Sequence, residues 1–211
     1  GAATPPLYQT STFLFPDAEA FDRRELPQSP YYSYTRAGNP TTALLEAKLA
    51  QLEHGTWARA FASGMGAITA AINAVVRSGD HVVCVAHCYS PTRRYLEQYL
   101  DRFGVTATYV GGLEAADFEA ALRPNTRLLY LESPTSGYCE MLDVPAVAAV
   151  ARARGVATVF DNSWASPYFQ QPLDHGIDLV LHSATKYIGG HSDALGGVIV
   201  GRDAALGRRI A

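Results

Sequence analysis

The stretch VATVFDNSWASPYFQQPLDHGIDLVLHSATKYIGGHS, residues 156–192, decides how this chain is read. It opens on an apolar run, Val156–Asp161, that ends in a carboxylate. It closes on a second run, Asp178–Ser183, that ends in a hydroxyl and leads straight into Ala184, Thr185 and Lys186. Short apolar runs without polar alternation suit strands buried on both faces, which requires a mainly parallel sheet covered by helices. Outward from this stretch the pattern repeats. His81–Ala86, Val105–Val110, Arg127–Glu132 and Gly197–Val200 read as further strands. Amphipathic stretches near Thr41–Glu53, Gly64–Val76, Pro91–Phe103, Ala115–Leu122 and Pro145–Ala153 read as the helices between them. The alternation predicts an α/β fold with a mostly parallel sheet flanked by helices. Ligands of such sheets gather beyond the carboxyl ends of the strands, so the residues that follow each strand are where chemistry is expected.

Residues 1–40 differ: Pro, Tyr, Thr and Ser dominate and no period is sustained. They predict an irregular arm that crosses the domain surface or reaches a neighbouring subunit, with residues 41–211 forming the ligand-binding domain. The opening Gly1-Ala2-Ala3-Thr4 carries no Met, and a helical pattern that begins near Arg202 has no closing element before Ala211. The sequence is therefore expected to be a piece of a longer one.

With 48% hydrophobic and 18% charged residues, the 211-residue chain has the composition of an ordinary globular domain. A net charge of −3 without a basic block gives no footprint for nucleic acid or for an anionic membrane. No apolar run approaches the ~20 residues of a membrane helix. The three cysteines are too few for a disulfide framework, which points to a reducing cytoplasm. Cys84, His87 and Cys88 lie close together, but a second ligand pair is missing, so no metal site is expected. Cys84 instead reads as a small buried hydrophobe.

Lys186 alone would be read as a solvated surface charge. Its neighbours change that reading: Ser183 and Thr185 flank it, and Gly189-Gly190 lets the backbone pass close to a bound group. Hydroxyls beside an amine suit a carbonyl cofactor that carries a phosphate. Asp161 ends its strand either as a helix cap or as the acid that faces a pyridine nitrogen. Ser63-Gly64-Met65 opens a helix, where free N–H groups make either an ordinary N-cap or a phosphate cradle. Tyr89 follows a strand, and Arg36, in the arm, has the bidentate fork of a phosphate clamp. His182 reads as a packed core residue and His191 as satisfying local backbone groups. Glu132 ends a strand either near the ligand or in solvent.

Position by position, the segment from Asp178 to Ser192 resembles the cofactor-attachment signature of the Cys/Met-metabolism pyridoxal-phosphate (PLP) enzymes. This is the family of cystathionine γ-synthase, cystathionine β- and γ-lyases and methionine γ-lyase. The resemblance implies a type I aminotransferase-like fold, of which this chain holds the arm and the large domain while the small C-terminal domain is missing. It implies that Lys186 holds the cofactor covalently, that its freed amine takes the substrate α-proton, and that Asp161 faces the ring nitrogen. Ser63, Gly64, Met65, Ser183 and Thr185 would hold the phosphate, and Tyr89 would stack on the ring. Tyr34 and Arg36 would come from the adjacent subunit, making the protein a homo-oligomer: a dimer at minimum, and a tetramer on the family's pattern. The substrate would be a small amino acid.

Within the family the sequence gives two opposed signals. Glu132-Ser133-Pro134-Thr135-Ser136-Gly137 departs from the common Glu-Ser-Pro-x-Asn-Pro. Ser136 resembles the serine of bacterial cystathionine β-lyases, as do Tyr89-Ser90-Pro91-Thr92 and Asp161-Asn162-Ser163-Trp164. Methionine γ-lyases carry a cysteine where Pro91 stands. These positions imply α,β-elimination from cystathionine-type thioethers. The arm, Tyr34-x-Arg36-x-Gly38-Asn39-Pro40, instead has the pattern of the γ-synthases and γ-lyases. The alternative is therefore γ-elimination or γ-replacement, including sulfhydrylation of an acylated homoserine. Whichever carbon reacts, Lys186→Ala in the full-length protein is expected to abolish the visible absorbance of the covalently held cofactor, which a spectrum taken after reconstitution checks.

Overall fold

A computed structural model describes residues 3–24, 26 and 29–210. The expectations for Gly1, Ala2 and the final Ala211 lie outside the described residues. The chain divides into two compact units, Gly1–Lys48 and Leu49–Ala211, so the division falls inside helix α2 (Pro40–Leu52).

The first unit has more order than the expected irregular arm. A short helix, α1 (Ala18–Asp22), is capped by the Asp17 side chain, which accepts from the amide of Ala20. Phe15 packs edge-on against Phe21 and Tyr31, and a single antiparallel bridge joins Thr12 to Tyr34. Aromatic contacts and one short bridge leave no hydrophobic period in the sequence, which is why this order was not foreseen.

The second unit is built on seven strands: β1 (Trp57–Phe61), β2 (His81–Val85), β3 (Thr106–Val110), β4 (Thr126–Glu132), β5 (Ala157–Asp161), β6 (Leu179–His182) and β7 (Gly197–Gly201). They lie in the order β1-β7-β6-β5-β4-β2-β3. The pairs from β3 across to β6 are parallel, as the apolar runs predicted. β7 is antiparallel to both β6 and β1, so β1 recovers the direction of the parallel set. The carboxyl ends of β1, β2, β4, β5 and β6 therefore share one edge of the sheet.

Six strands were legible; β1 was not. It is an edge strand in which only Ala58 is buried, and Arg59 interrupts any apolar run. Of the predicted helices, α3 (Gly64–Val75), α5 (Ala115–Ala121) and α6 (Val144–Ala153) form as expected. The stretch 91–103 does not form one regular helix. It runs as α4 (Ser90–Arg94), a π-helical turn Tyr95–Leu100 and a 3₁₀ turn Asp101–Phe103, ended by Gly104 at φ +77. Leu96 and Leu100 are buried while Tyr95 and Tyr99 stack at 5.2 Å, so apolar groups occupy more of its surface than a regular amphipathic helix presents. α7 (Ser166–Phe169) and α8 (Ala204–Ile210) complete the unit. No helix of the described residues is long and apolar enough to cross a membrane.

The core follows from the strands: β2, β5, β6 and β7 carry fully buried Val82, Val83, Val159, Phe160, Leu179, Leu181 and Ile199. Phe160, one residue before Asp161, has no exposure at all. Phe160→Ala is expected to destabilise the fold by ~3–5 kcal/mol, through lost transfer energy and the cavity left behind, as read by denaturant unfolding.

Candidate active site

At the shared edge the second unit holds a cavity of about 940 Å³. Its wall is assembled from the residues that leave the strands. After β1, Ser63 caps α3 by accepting from the amide of Gly66 at 3.0 Å. The Ser63 carbonyl takes the amide of Ala67, which leaves the Gly64 and Met65 amides as the unclaimed donors of the first turn among the described residues. The cradle is tight on two sides. A Cβ on Gly64 would stand 2.8 Å from Cβ and Oγ of Ser183, and one on Gly197 would stand 2.2 Å from the Ser63 carbonyl oxygen. Only glycines allow the helix start to lie against β6 and β7 in this way.

After β6, Ser183, Thr185 and Lys186 line the same cavity. Lys186 sits in a turn closed by its own amide on the Ser183 carbonyl and by the Gly190 amide on the Lys186 carbonyl. The Thr185 hydroxyl exchanges hydrogen bonds with Gly196, donating to its carbonyl at 3.2 Å and accepting from its amide at 3.1 Å. Thr185 thus ties the lysine turn to the strand that follows it. His191 donates within its own turn, from Nδ1 to the Gly189 carbonyl at 2.8 Å, as expected of a local role.

Asp161 and Glu132 end adjacent parallel strands in direct register, and both line the cavity. Asp161 Oδ1 accepts from the amide of Ser163 at 3.0 Å, and the Tyr130 hydroxyl reaches Oδ2 at 3.4 Å. Burial pushes the Asp161 carboxyl above the ordinary range, while Ser163, His182 and Tyr130 pull it back. Glu132 resolves the earlier alternative: it is buried at the ligand side rather than in solvent. Its Oε2 accepts from the amide of Tyr89 at 2.7 Å and its Oε1 from the Ser136 hydroxyl at 2.5 Å. Burial first, and then the charge of Asp161, raise its carboxyl to about 7.

Tyr89, partly exposed, lines the cavity after β2. Tyr34 and Arg36 belong to the first unit, where both are exposed and the Arg36 guanidinium lies 5.5 Å from the centre of the Tyr34 ring. Cys84 is buried beside Cys88 at an Sγ–Sγ distance of 3.5 Å, in line with the hydrophobic reading, and His87 pairs with Glu140 at 2.7 Å. Residues not foreseen also shape the site: Ser163 holds Asp161 through its amide and the Ser183 amide through its hydroxyl at 2.7 Å. The cue for Ser163 was its place two residues after a strand-ending carboxylate; Tyr130, buried within β4, gave none.

A family profile described as Cys/Met metabolism PLP-dependent enzyme matches residues 1–211. The chain belongs to the Cys/Met metabolism PLP-dependent enzymes. It is 44% identical over 204 residues to L-methionine gamma-lyase of Treponema denticola, covering 96% of this chain and 51% of that protein. It is 42% identical over 210 residues to cystathionine gamma-lyase of Bacillus subtilis, covering 100% of this chain and 53% of the relative. Its fold matches the crystal structure of cystathionine gamma-lyase from Lactobacillus plantarum complexed with L-serine, with a TM-score of 0.89 and 41% identity over 100% of this chain and 52% of that one. The chain thus spans about half the length of the relatives it matches. As a member of the Cys/Met metabolism PLP-dependent enzymes it takes pyridoxal phosphate as its cofactor. The cavity suits that group: amides and a hydroxyl at one end, an amine beside them, and a buried carboxyl at the depth of β5.

The raised Glu132 carboxyl has a signed consequence. Between pH 4.5 and about 7 the native state holds a proton that the unfolded chain has released. Stability from protonated Glu132 is therefore full below that window and lost as the pH rises through it. In Glu132→Gln this loss is absent. The melting temperature of the wild-type protein without cofactor is expected to fall, relative to the variant, as the pH is raised from about 4.5 to about 7.

Proposed function

We propose that the full-length protein is a carbon–sulfur lyase of sulfur amino-acid metabolism that eliminates a thiol-bearing group from the γ-carbon of its substrate. The observation that carries this reading is the single cavity shared by Lys186, Asp161, Tyr89, Ser183 and the amides that open α3. When bound, pyridoxal phosphate supplies an electron sink for negative charge at the substrate α-carbon. Lys186 attaches the cofactor and its freed amine moves the α-proton. Asp161, ionised, keeps a proton on the ring nitrogen. Ser63, Gly64, Met65 and Ser183 hold the phosphate, with Thr185 fixing the lysine turn through Gly196. Tyr89 covers the ring.

The choice of the γ-carbon is supported by the relatives, whose names specify gamma-lyases, and by the arm pattern Tyr34-x-Arg36-x-Gly38-Asn39-Pro40. A second reading, cystathionine β-lyase-like α,β-elimination, is favoured by Ser136, whose hydroxyl is committed to Glu132. Residues 41–211 are proposed as the PLP-binding large domain, and residues 1–40 as an arm that carries Tyr34 and Arg36 to a neighbouring subunit. The working form is then a homo-oligomer with shared sites, a dimer or a tetramer, placed in the cytoplasm.

The test is to supply the reconstituted full-length protein with L-cystathionine and identify the keto acid released. 2-Oxobutyrate is expected. Pyruvate would move the assignment to the β-carbon, and no keto acid from any sulfur amino acid would overturn the lyase reading.

A further inference from the structure

Two loops that leave neighbouring strands are fastened together at the cavity wall, and Glu132 stands at the join. β2 and β4 pair in parallel, so their exits meet at one edge of the sheet. The exit of β4 is held by its own contacts. The Thr135 amide donates to the Glu140 carbonyl at 3.0 Å, the Thr135 hydroxyl donates to the Glu140 carboxylate at 3.1 Å, and Ser133 Oγ accepts from the Leu142 amide at 2.9 Å. The exit of β2 leans on that frame at two points. His87 pairs with Glu140 at 2.7 Å and stacks on Tyr138 with 4.1 Å between ring centres. Two residues further on, the Tyr89 amide donates to Glu132 Oε2 at 2.7 Å.

Tyr89 depends on that contact more than a buried ring would. It is 39% exposed, and among the described residues its hydroxyl makes no hydrogen bond and its ring stacks on no other. The place of the ring is therefore set by the backbone that carries it. The Tyr89 carbonyl is fixed at the start of α4, where it accepts from the Thr92 amide at 2.9 Å. Its amide is fixed by Glu132. The other carboxyl oxygen, Oε1, accepts from the Ser136 hydroxyl at 2.5 Å, so one side chain holds a donor from each loop. Glu132, Tyr89 and Ser136 all line the cavity. A protonated Glu132 holds the same two partners, with its carbonyl oxygen accepting from Tyr89 and its hydroxyl donating to Ser136. The join thus needs reach and two polar atoms, and it does not need a charge.

We propose that Glu132 is a positioning residue for the cofactor: by holding the Tyr89 amide and the Ser136 hydroxyl on its two oxygens, it sets the Tyr89 ring against the cofactor. Glu132 acts through Tyr89 and not on the ligand itself. This inference rests on the function proposed above, in which Tyr89 covers the ring.

The test separates reach from charge. Dissociation constants for pyridoxal phosphate are measured in the full-length protein for the wild type, Glu132→Gln and Glu132→Asp, each with Tyr89 and with Tyr89→Ala. Glutamine keeps the reach, since its oxygen accepts from the Tyr89 amide and its nitrogen donates to Ser136. Aspartate keeps the charge but draws the carboxyl back by one carbon–carbon bond, ~1.5 Å. Glu132→Asp is expected to bind pyridoxal phosphate about fivefold more weakly, the factor that a lost hydrogen bond is worth. Glu132→Gln is expected to stay near the wild type. Tyr89→Ala keeps the amide and removes the ring, so in that background Glu132→Asp is expected to lose nothing further. Loss in Glu132→Gln, or no loss in Glu132→Asp, overturns the proposal. An equal loss with and without the Tyr89 ring overturns it too, because a direct contact or a general weakening of the fold does not need that ring. Hydrogen exchange of the unaltered protein without cofactor depends neither on uptake nor on the folding of a variant. Its Tyr89 amide is expected to exchange slowly, and the rate of an open loop overturns the proposal. A wild type that takes up no pyridoxal phosphate would fail the function proposed above and with it the role of the ring, while the exchange rate still decides whether Glu132 holds the loop.

Discussion

The central strands of this domain are buried on both faces, and that constraint governs the rest of the molecule. A strand with apolar neighbours above and below has little room for a polar side chain along its length, so polar groups concentrate where it stops. Because β2, β4, β5 and β6 run in one direction, their stops share one edge. Tyr89, Glu132, Asp161 and Ser183 are thereby delivered to one cavity from positions far apart in the chain. The antiparallel passage through β7 returns β1 to the same direction, which brings the opening turn of α3 to that edge as well.

Polar groups collected at the edge of an apolar layer must then be kept in defined charge states. Two carboxyls in register, Glu132 and Asp161, do not both ionise cheaply in a buried wall. Burial raises both carboxyls: Asp161 is drawn back by Ser163, His182 and Tyr130, while Glu132 is pushed further by the charge of Asp161 and drawn back by Ser136 and the Tyr89 amide. Different neighbours thus act on two chemically similar groups, Ser163, His182 and Tyr130 on the one and Tyr89 and Ser136 on the other.

Much of this was readable before any coordinates. The apolar runs predicted six of the strands within a residue or two, and several of the residues singled out after strand ends line one cavity. What escaped has physical causes. β1 is an edge strand with one buried residue, so it leaves no apolar signature. The helix expected over 91–103 changes pitch twice, and local sequence gives little warning of a π turn. Glu53 and His182 are separated by more than a hundred residues, and neither a lone glutamate after a helix nor a histidine within a strand announces a partner at that distance.

The sequence by itself determined the class of fold, the family and the identities of the chemical groups, because strand burial, glycine geometry and the lysine motif are local properties written in short stretches of residues. Only the tertiary structure decided which groups oppose one another: Glu132 against Asp161, Glu53 against His182, and Gly64 against Ser183. Charge states depend on burial and on neighbours in space. Those are fixed when strands from distant parts of the chain stop at the same edge.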